Sequence, residues 1–348
     1  PKAIKSISKN IMEYFLGKQV RNSLKSDLVS QSLPNMKTAL ITGAAGYLGS
    51  HLAKSLKKSG WKVVGLGHKR HTMNEYLDVM DYADIRNMDQ LDELFSRIKF
   101  DVVFHLAARI EAGISVKEPT EFYSVNTGGT CNLLNVMNHH GVKNIVFSST
   151  AAVYRQSNLP LKEDDVKFDN SPYGYSKLCA EMAIKASGLN YVIFRYFNLT
   201  GADPEGEFGE AHEPETHLIP KLIQNLNNFQ INGVDYNTPD GTCVRDYIHV
   251  TDVADAHNSA ADYLISGNKS IVMNLGTGQG LSIFQIISKL EEITGKKVIY
   301  AVNPRRPGDA DSLIADISVA KKVLNFQPKH DIMSILKTAY DWHNKNDE

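Results

Sequence analysis

The chain has 348 residues, enough for two domain-sized units or one large two-lobed fold. Hydrophobic residues make up 42% and charged residues 22%, and 38 Lys and Arg against 39 Asp and Glu leave a net charge of −1, the balance of an ordinary globular enzyme. That neutrality gives no electrostatic basis for gripping a nucleic-acid backbone, and there is no apolar run of about 18 residues to span a membrane. The cysteines, Cys131, Cys179 and Cys243, are scattered and odd in number. They build neither a disulfide framework nor a metal-ligand spacing, so reduced thiols, a cytoplasmic location and no metal are expected.

The first stretch stands apart. Residues 2–25 carry Lys2, Lys5, Lys9, Lys18, Arg21 and Lys25 against one acid, Glu13, and their apolar residues include helical spacings. Such a start suits an organelle transit peptide, or an extra helix packed on the domain or on a partner subunit. The excess of lysine over arginine favours the helix. Residues 1–36 are therefore set aside as an N-terminal extension.

From Lys37 short apolar runs alternate with amphipathic stretches. Strands are expected at Lys37–Thr42, Trp61–Leu66, Asp101–Leu106, Lys143–Ser149 and Tyr191–Tyr196. Helices are expected at Tyr47–Ser59, Asn87–Lys99, Lys117–His140 and Tyr173–Ser187. This alternation predicts an α/β fold, a Rossmann-type doubly wound parallel sheet over 37–198. Residues 199–348 read as a smaller C-terminal α/β substrate-binding lobe, with part of 243–275 returning to the sheet.

The first strand runs straight into Gly43-Ala44-Ala45-Gly46-Tyr47-Leu48-Gly49. Small residues there let the backbone approach a pyrophosphate, and the helix that follows offers its N–H groups and positive dipole end. A glycine pattern alone is weak, but between a first strand and a first helix it marks a dinucleotide site. An NAD site usually carries an acid at the end of the second strand. Here that strand ends in His68-Lys69-Arg70, whose cations suit the 2′-phosphate of NADP, so the choice between NAD and NADP stays open. Asp84, followed by Ile85, stands after the third strand, where it could accept a hydrogen bond from adenine.

Tyr173 and Lys177 share one helix face, one turn apart. An ammonium beside the phenol favours the phenolate. Bringing a tyrosine from ~10 to near neutrality takes about three units, or about 4 kcal/mol. Strand 143–149 leads into Ser148-Ser149-Thr150 at its carboxyl end, where ligands bind in such sheets. Thr150 is placed to orient a substrate hydroxyl towards Tyr173, and Ser148 suits either the cofactor side or turn chemistry.

With these residues the chain resembles the extended short-chain dehydrogenase/reductase superfamily and, within it, the UDP-galactose 4-epimerases, over about residues 37–345. Carrying the likeness are Phe104-His105-Leu106-Ala107-Ala108, Asn126, Arg195-Tyr196-Phe197-Asn198, the block Asp240–Val250, Asn274–Gly278 and Pro304–Asp309. The resemblance implies that Leu106, Ala107, Ala108, Asn126 and Tyr196 join the cofactor site. It implies that Asn198, Leu218, Arg245 and Arg306 hold UDP, with Asp309 near the ribose; an arginine fork suits phosphate oxygens. Leu313 falls at a position that gates N-acetylated sugars and leaves that choice open.

The implied reaction is 4-epimerisation of a UDP-hexose with bound NAD, in a homodimer paired through helices 117–140 and 173–187. Three alternatives remain: an NADP-dependent keto-sugar reductase, a 4,6-dehydratase, and a catalytically inactive binding subunit. The dehydratase needs an acid pair after the threonine, and Ala151-Ala152 stand there instead.

Overall fold

Strand formation begins where the sequence first turns continuously apolar. Thr38–Thr42 is buried from its second residue onward, and successive runs of the same kind line up beside it. The computed structural model describes residues 36–68, 74–155, 157, 159–165, 171–212, 215–306 and 309–345. The expectations for the N-terminal extension through residue 35, and for Lys69 and Arg70, lie outside the described residues.

The strands in chain order are β1 (Thr38–Thr42), β2 (Lys62–Gly67), β3 (Val79–Tyr82), β4 (Val102–His105), β5 (Asn144–Thr150), β6 (Asn190–Tyr196), β7 (Asn198–Thr200), β8 (Phe229–Asn232), β9 (Val244–His249), β10 (Ile271–Leu275), β11 (Gly280–Ser282), β12 (Tyr300–Asn303) and β13 (Ser312–Leu313). Seven of them form one sheet in the order β10-β6-β5-β4-β1-β2-β3. Every pairing in it is parallel. This is the doubly wound Rossmann arrangement with one strand added at the β6 edge.

Both faces of the sheet are covered, as parallel pairing requires. On one face the helices Tyr47–Lys58, Val250–Ile265 and Ser318–Leu324 close over Ile41, Phe104 and Phe194. On the other, Met88–Arg97, Gly129–His139 and Pro172–Ala186 close over Leu40, Val103 and Ile193. Each fully buried side chain of this size contributes about 1.5–3 kcal/mol. A third core gathers Ile219, Leu222, Ile286, Leu290 and Leu336 from three C-terminal helices, around β8 and β9.

Local signals set the helix starts. Asn87 caps Met88–Arg97 by accepting from the Gln90 N–H, and Ser282 forms a capping box with Gln285 ahead of Ile283–Thr294. The single helix expected over 117–140 differs from the structure. Helix Pro119–Phe122 passes into a π-helical turn, Tyr123–Gly128, before α-helix resumes at Gly129–His139. A π turn adds a residue without breaking the rod, which 3.6-residue periodicity does not reveal. Among the described residues no helix is long and apolar enough to cross a membrane.

Candidate active site

The strand order reverses between β1 and β4, the switch point where such sheets bind ligands at their carboxyl ends. A cavity of about 1060 Å³ opens there. The turn after β1 forms its floor. Gly43 has φ +74°, and a Cβ on it would stand 3.0 Å from the Ala107 N. A Cβ on Gly49 would stand 2.3 Å from the Gly43 carbonyl oxygen, so only glycine lets helix and turn pack this closely. Helix Tyr47–Lys58 has no side-chain cap at Gly46, and Gly43, Gly46, Tyr47, Leu48 and Gly49 all line the cavity. Leu106 and Ala107 donate their N–H groups to Thr42 Oγ1 at 3.2 and 3.1 Å. That anchors Leu106, Ala107 and Ala108 as the opposite wall.

His68, Asp84 and Ile85 line the same cavity. The Asp84 carboxylate accepts from the Arg86 guanidinium at 2.6 Å, and this partner holds it below the usual carboxylate range. Asn126 does not line the cavity. It is buried in the π turn, accepts from the Arg109 N–H at 2.8 Å and donates to the Arg109 carbonyl at 3.0 Å. Its geometry is that of a clamp on the segment that forms the wall.

Thr150, Tyr173 and Tyr196 meet on one side of the cavity. Ser171 and Pro172 start the helix so that Tyr173 stands in its first turn. The Thr150 hydroxyl hydrogen-bonds the Tyr173 phenol and favours its anion, but burial outweighs it and pushes the phenol above its ordinary range. Lys177 is 3% exposed and lies behind the cavity wall, its Nζ 4.3 Å from the centre of the Phe147 ring. Burial brings its pKa down to about 7, against a smaller raising effect of Glu181. The expected lysine-tuned phenolate therefore differs from the structure, because desolvation of both groups dominates. Ser148 also lies behind the wall, bonded to His257 Nε2 at 3.1 Å and to Tyr196.

On the far side Asn198 and Leu218 line the cavity, whereas Arg245, Arg306, Asp309 and Leu313 lie beyond it. They cluster around β9. Asn198 pairs in register with Tyr247, and Leu313 with Arg245. Arg245 reaches Asp309 at 3.5 Å, and the Arg306 guanidinium stands 3.1 Å from the Asn232 side-chain amide.

The structure adds residues that sequence reasoning missed. Phe197, Tyr247, Glu111, Glu210, His212 and His217 also line the cavity. The last three carry a sequence signal in the spacing Glu210-x-His212-x-x-Glu215-x-His217, which lies outside any strand or helix period. Arg195, from the Arg-Tyr-Phe-Asn segment, is buried and grips Glu181 with two bonds of 2.8 and 2.6 Å. It ties β6 to helix Pro172–Ala186.

A glycine turn at the switch point of a parallel sheet, with a tyrosine and threonine facing it and a lysine one turn behind, defines a Rossmann-type protein of the short-chain dehydrogenase/reductase kind. A sequence profile of the NAD dependent epimerase/dehydratase family matches residues 39–276. The UDP-glucose 4-epimerase of Rhizobium meliloti is 40% identical over 320 residues, which cover 89% of this chain and 98% of that protein. The crystal structure of UDP-glucose-4-epimerase from Stenotrophomonas maltophila, with bound NAD and formylated UDP-arabinopyranose, superposes with a TM-score of 0.85 at 35% identity, covering 89% of this chain and 99% of that one. UDP-glucose 4-epimerase from Brucella ovis, in complex with NAD, gives 0.84 at 38% identity, covering 88% and 98%. The chain belongs to the NAD dependent epimerase/dehydratase family.

Proposed function

We infer that this chain is a UDP-glucose 4-epimerase, interconverting UDP-glucose and UDP-galactose by transient oxidation at C4 of the hexose, with NAD as its bound cofactor. One observation carries the reading: the Tyr173 phenol, hydrogen-bonded to Thr150, faces the cavity whose floor is the Gly43–Gly49 turn. The relatives named above support the substrate and the cofactor. The residues present fit a dinucleotide, since the Gly43–Gly49 turn packs too closely to admit a Cβ at Gly43 or Gly49 and so brings bare backbone to the cavity floor. The cavity also matches the upper end of the ~300–1,000 Å³ usual for one small ligand, leaving room beside a cofactor for a sugar.

When bound in its oxidised form, NAD would supply the hydride acceptor for C4. Tyr173 takes the proton from the sugar 4-hydroxyl and later returns it. Thr150 orients that hydroxyl. Lys177, one turn behind Tyr173 and with its pKa brought down by burial, is the cation placed behind the phenol. Gly43, Gly46, Tyr47, Leu48, Gly49, His68, Asp84, Ile85, Leu106, Ala107, Ala108 and Tyr196 surround the dinucleotide, with Asn126 and Ser148 holding wall segments in place. Asn198, Leu218, Arg245, Arg306 and Asp309 grip UDP, while the hexose turns over between hydride removal and return. Leu313 borders the hexose end.

The reading includes a cytoplasmic homodimer. The free thiols at Cys131, Cys179 and Cys243 support the location, and the exposed Met182 and Tyr123 on the two pairing helices support the dimer. Met182→Glu is expected to halve the mass seen by light scattering; an unchanged mass removes those helices as the interface.

The test of function uses the purified full chain. It should interconvert UDP-glucose and UDP-galactose without added cofactor, and acid denaturation should release NAD. Tyr173→Phe should keep the dinucleotide and lose about 10³-fold in kcat. Near-normal turnover in that variant would overturn the role of Tyr173.

A further inference from the structure

The segment before helix Leu218–Gln224 carries a side-chain cluster that the reaction above does not use. One ligand atom from each of Glu210, His212, Glu215 and His217 lies within 4.8 Å of all the others. The glutamate side chains are 3% and 7% exposed, His212 is half-buried and His217 is exposed. His217 Nδ1 touches Glu210 Oε1 and lies 3.9 Å from Glu215 Oε1. Glu215 Oε1 also accepts the N–H groups of Thr216 and His217, at 2.7 and 2.8 Å, which folds the segment around its own carboxylate.

Two atoms in the cluster are not satisfied. Glu215 Oε2 is buried without a hydrogen-bond partner, and so is His212 Nδ1. The latter sits 3.2 Å from Glu210 Oε1, a charge contact outside hydrogen-bond geometry. A buried carboxylate oxygen and a buried ring nitrogen without hydrogen-bond partners, on residues whose ligand atoms gather within 4.8 Å, call for a ligand that accepts lone pairs from each.

We propose that Glu210, His212, Glu215 and His217 bind one divalent transition ion of the zinc type. Two imidazoles with two carboxylates suit zinc and its neighbours, whereas calcium and magnesium favour all-oxygen sets. Four protein ligands close a tetrahedral site and leave no open position, so the ion is structural. It ties Glu215 and His217 to Glu210 and His212 at the cavity wall, where Glu210, His212 and His217 face the ligand space and Leu218 follows directly. The other groupings differ. Asp203, Glu205 and Glu207 surround the Lys54 ammonium, and Asp92, His139 and His140 lie on the surface, with His140 bonded to Asp92 at 2.8 Å.

The experiment uses the full chain purified without a histidine tag, stripped with a chelator and titrated with zinc sulfate or cobalt chloride. One ion per chain is expected, with the visible absorption of a tetrahedral cobalt centre and a zinc-dependent rise in Tm. His212→Ala and His217→Ala should each weaken zinc binding by about 100-fold or more. Glu215→Gln, nearly isosteric, should do the same if an alanine variant fails to fold. His139→Ala should bind as the parent does. Binding that survives His212→Ala and His217→Ala, binding lost in His139→Ala, or less than about a tenth of an ion per stripped and reloaded chain would each overturn the proposal, whatever the epimerase assay reads.

Discussion

The two sides of the cavity are built on different principles. The floor under β1 is backbone, with Gly43, Gly46 and Gly49 adjacent in sequence and their positions set by one turn. The far side is side chains brought from distant segments: Asn198 and Tyr247 come into register where β7 meets β9, and just beyond the cavity Arg245 meets Asp309 and pairs in register with Leu313. A backbone cradle tolerates almost no added atom, whereas a side-chain cluster loses its contacts one at a time.

The sharpest way to break the comparison is Gly49→Val. Its Cβ would meet the Gly43 carbonyl at 2.3 Å, where neither helix nor turn can give way cheaply. The purified variant should carry no dinucleotide and show no turnover; full cofactor content would refute the cradle. Next comes Lys177→Met, at the seam between the sides, with about 10²-fold or more lost in kcat and a Tm raised by a few degrees near pH 7. Between pH 7 and 10.5 the unfolded chain holds a proton on Lys177 that the folded chain has released, so the site's contribution to stability rises with pH across that window. The variant should lose that rise, and an unaltered stability–pH profile would rule out the burial effect. The smallest effect is expected from Arg245→Ala. It should weaken UDP inhibition by about 10- to 100-fold while leaving the bound dinucleotide intact. Unchanged inhibition would remove Arg245 from the UDP site.

The same contrast explains what the sequence disclosed. The turn at Gly43–Gly49 and the pair Tyr173 and Lys177 are local patterns, readable wherever strand and helix periodicity can be read. The resemblance places Asn126 at the cofactor; its clamp on Arg109, from within a π turn, carries no local signal in the sequence. The phenol was expected to be lowered by its lysine. Only coordinates reveal that both groups are buried deeply enough for desolvation to win. Glu181 and Arg195 carry no local signal of their union, since one stands on helix Pro172–Ala186 and the other on β6, and only the packing of that helix on the sheet brings them together.

One topological detail bears on handling the protein. After forming the distal lobe's first strands, the chain comes home: helix Val250–Ile265 lies against helix Tyr47–Lys58, where Asn258 donates to the Ser55 carbonyl, and β10 then closes the β6 edge. The lobes are thus woven, not hinged. A fragment cut after Asn198 would leave the outer edge of β6 open and one sheet face stripped of its cover, a template for aggregation. Neither half can be shed, swapped or expressed by itself without unravelling the other.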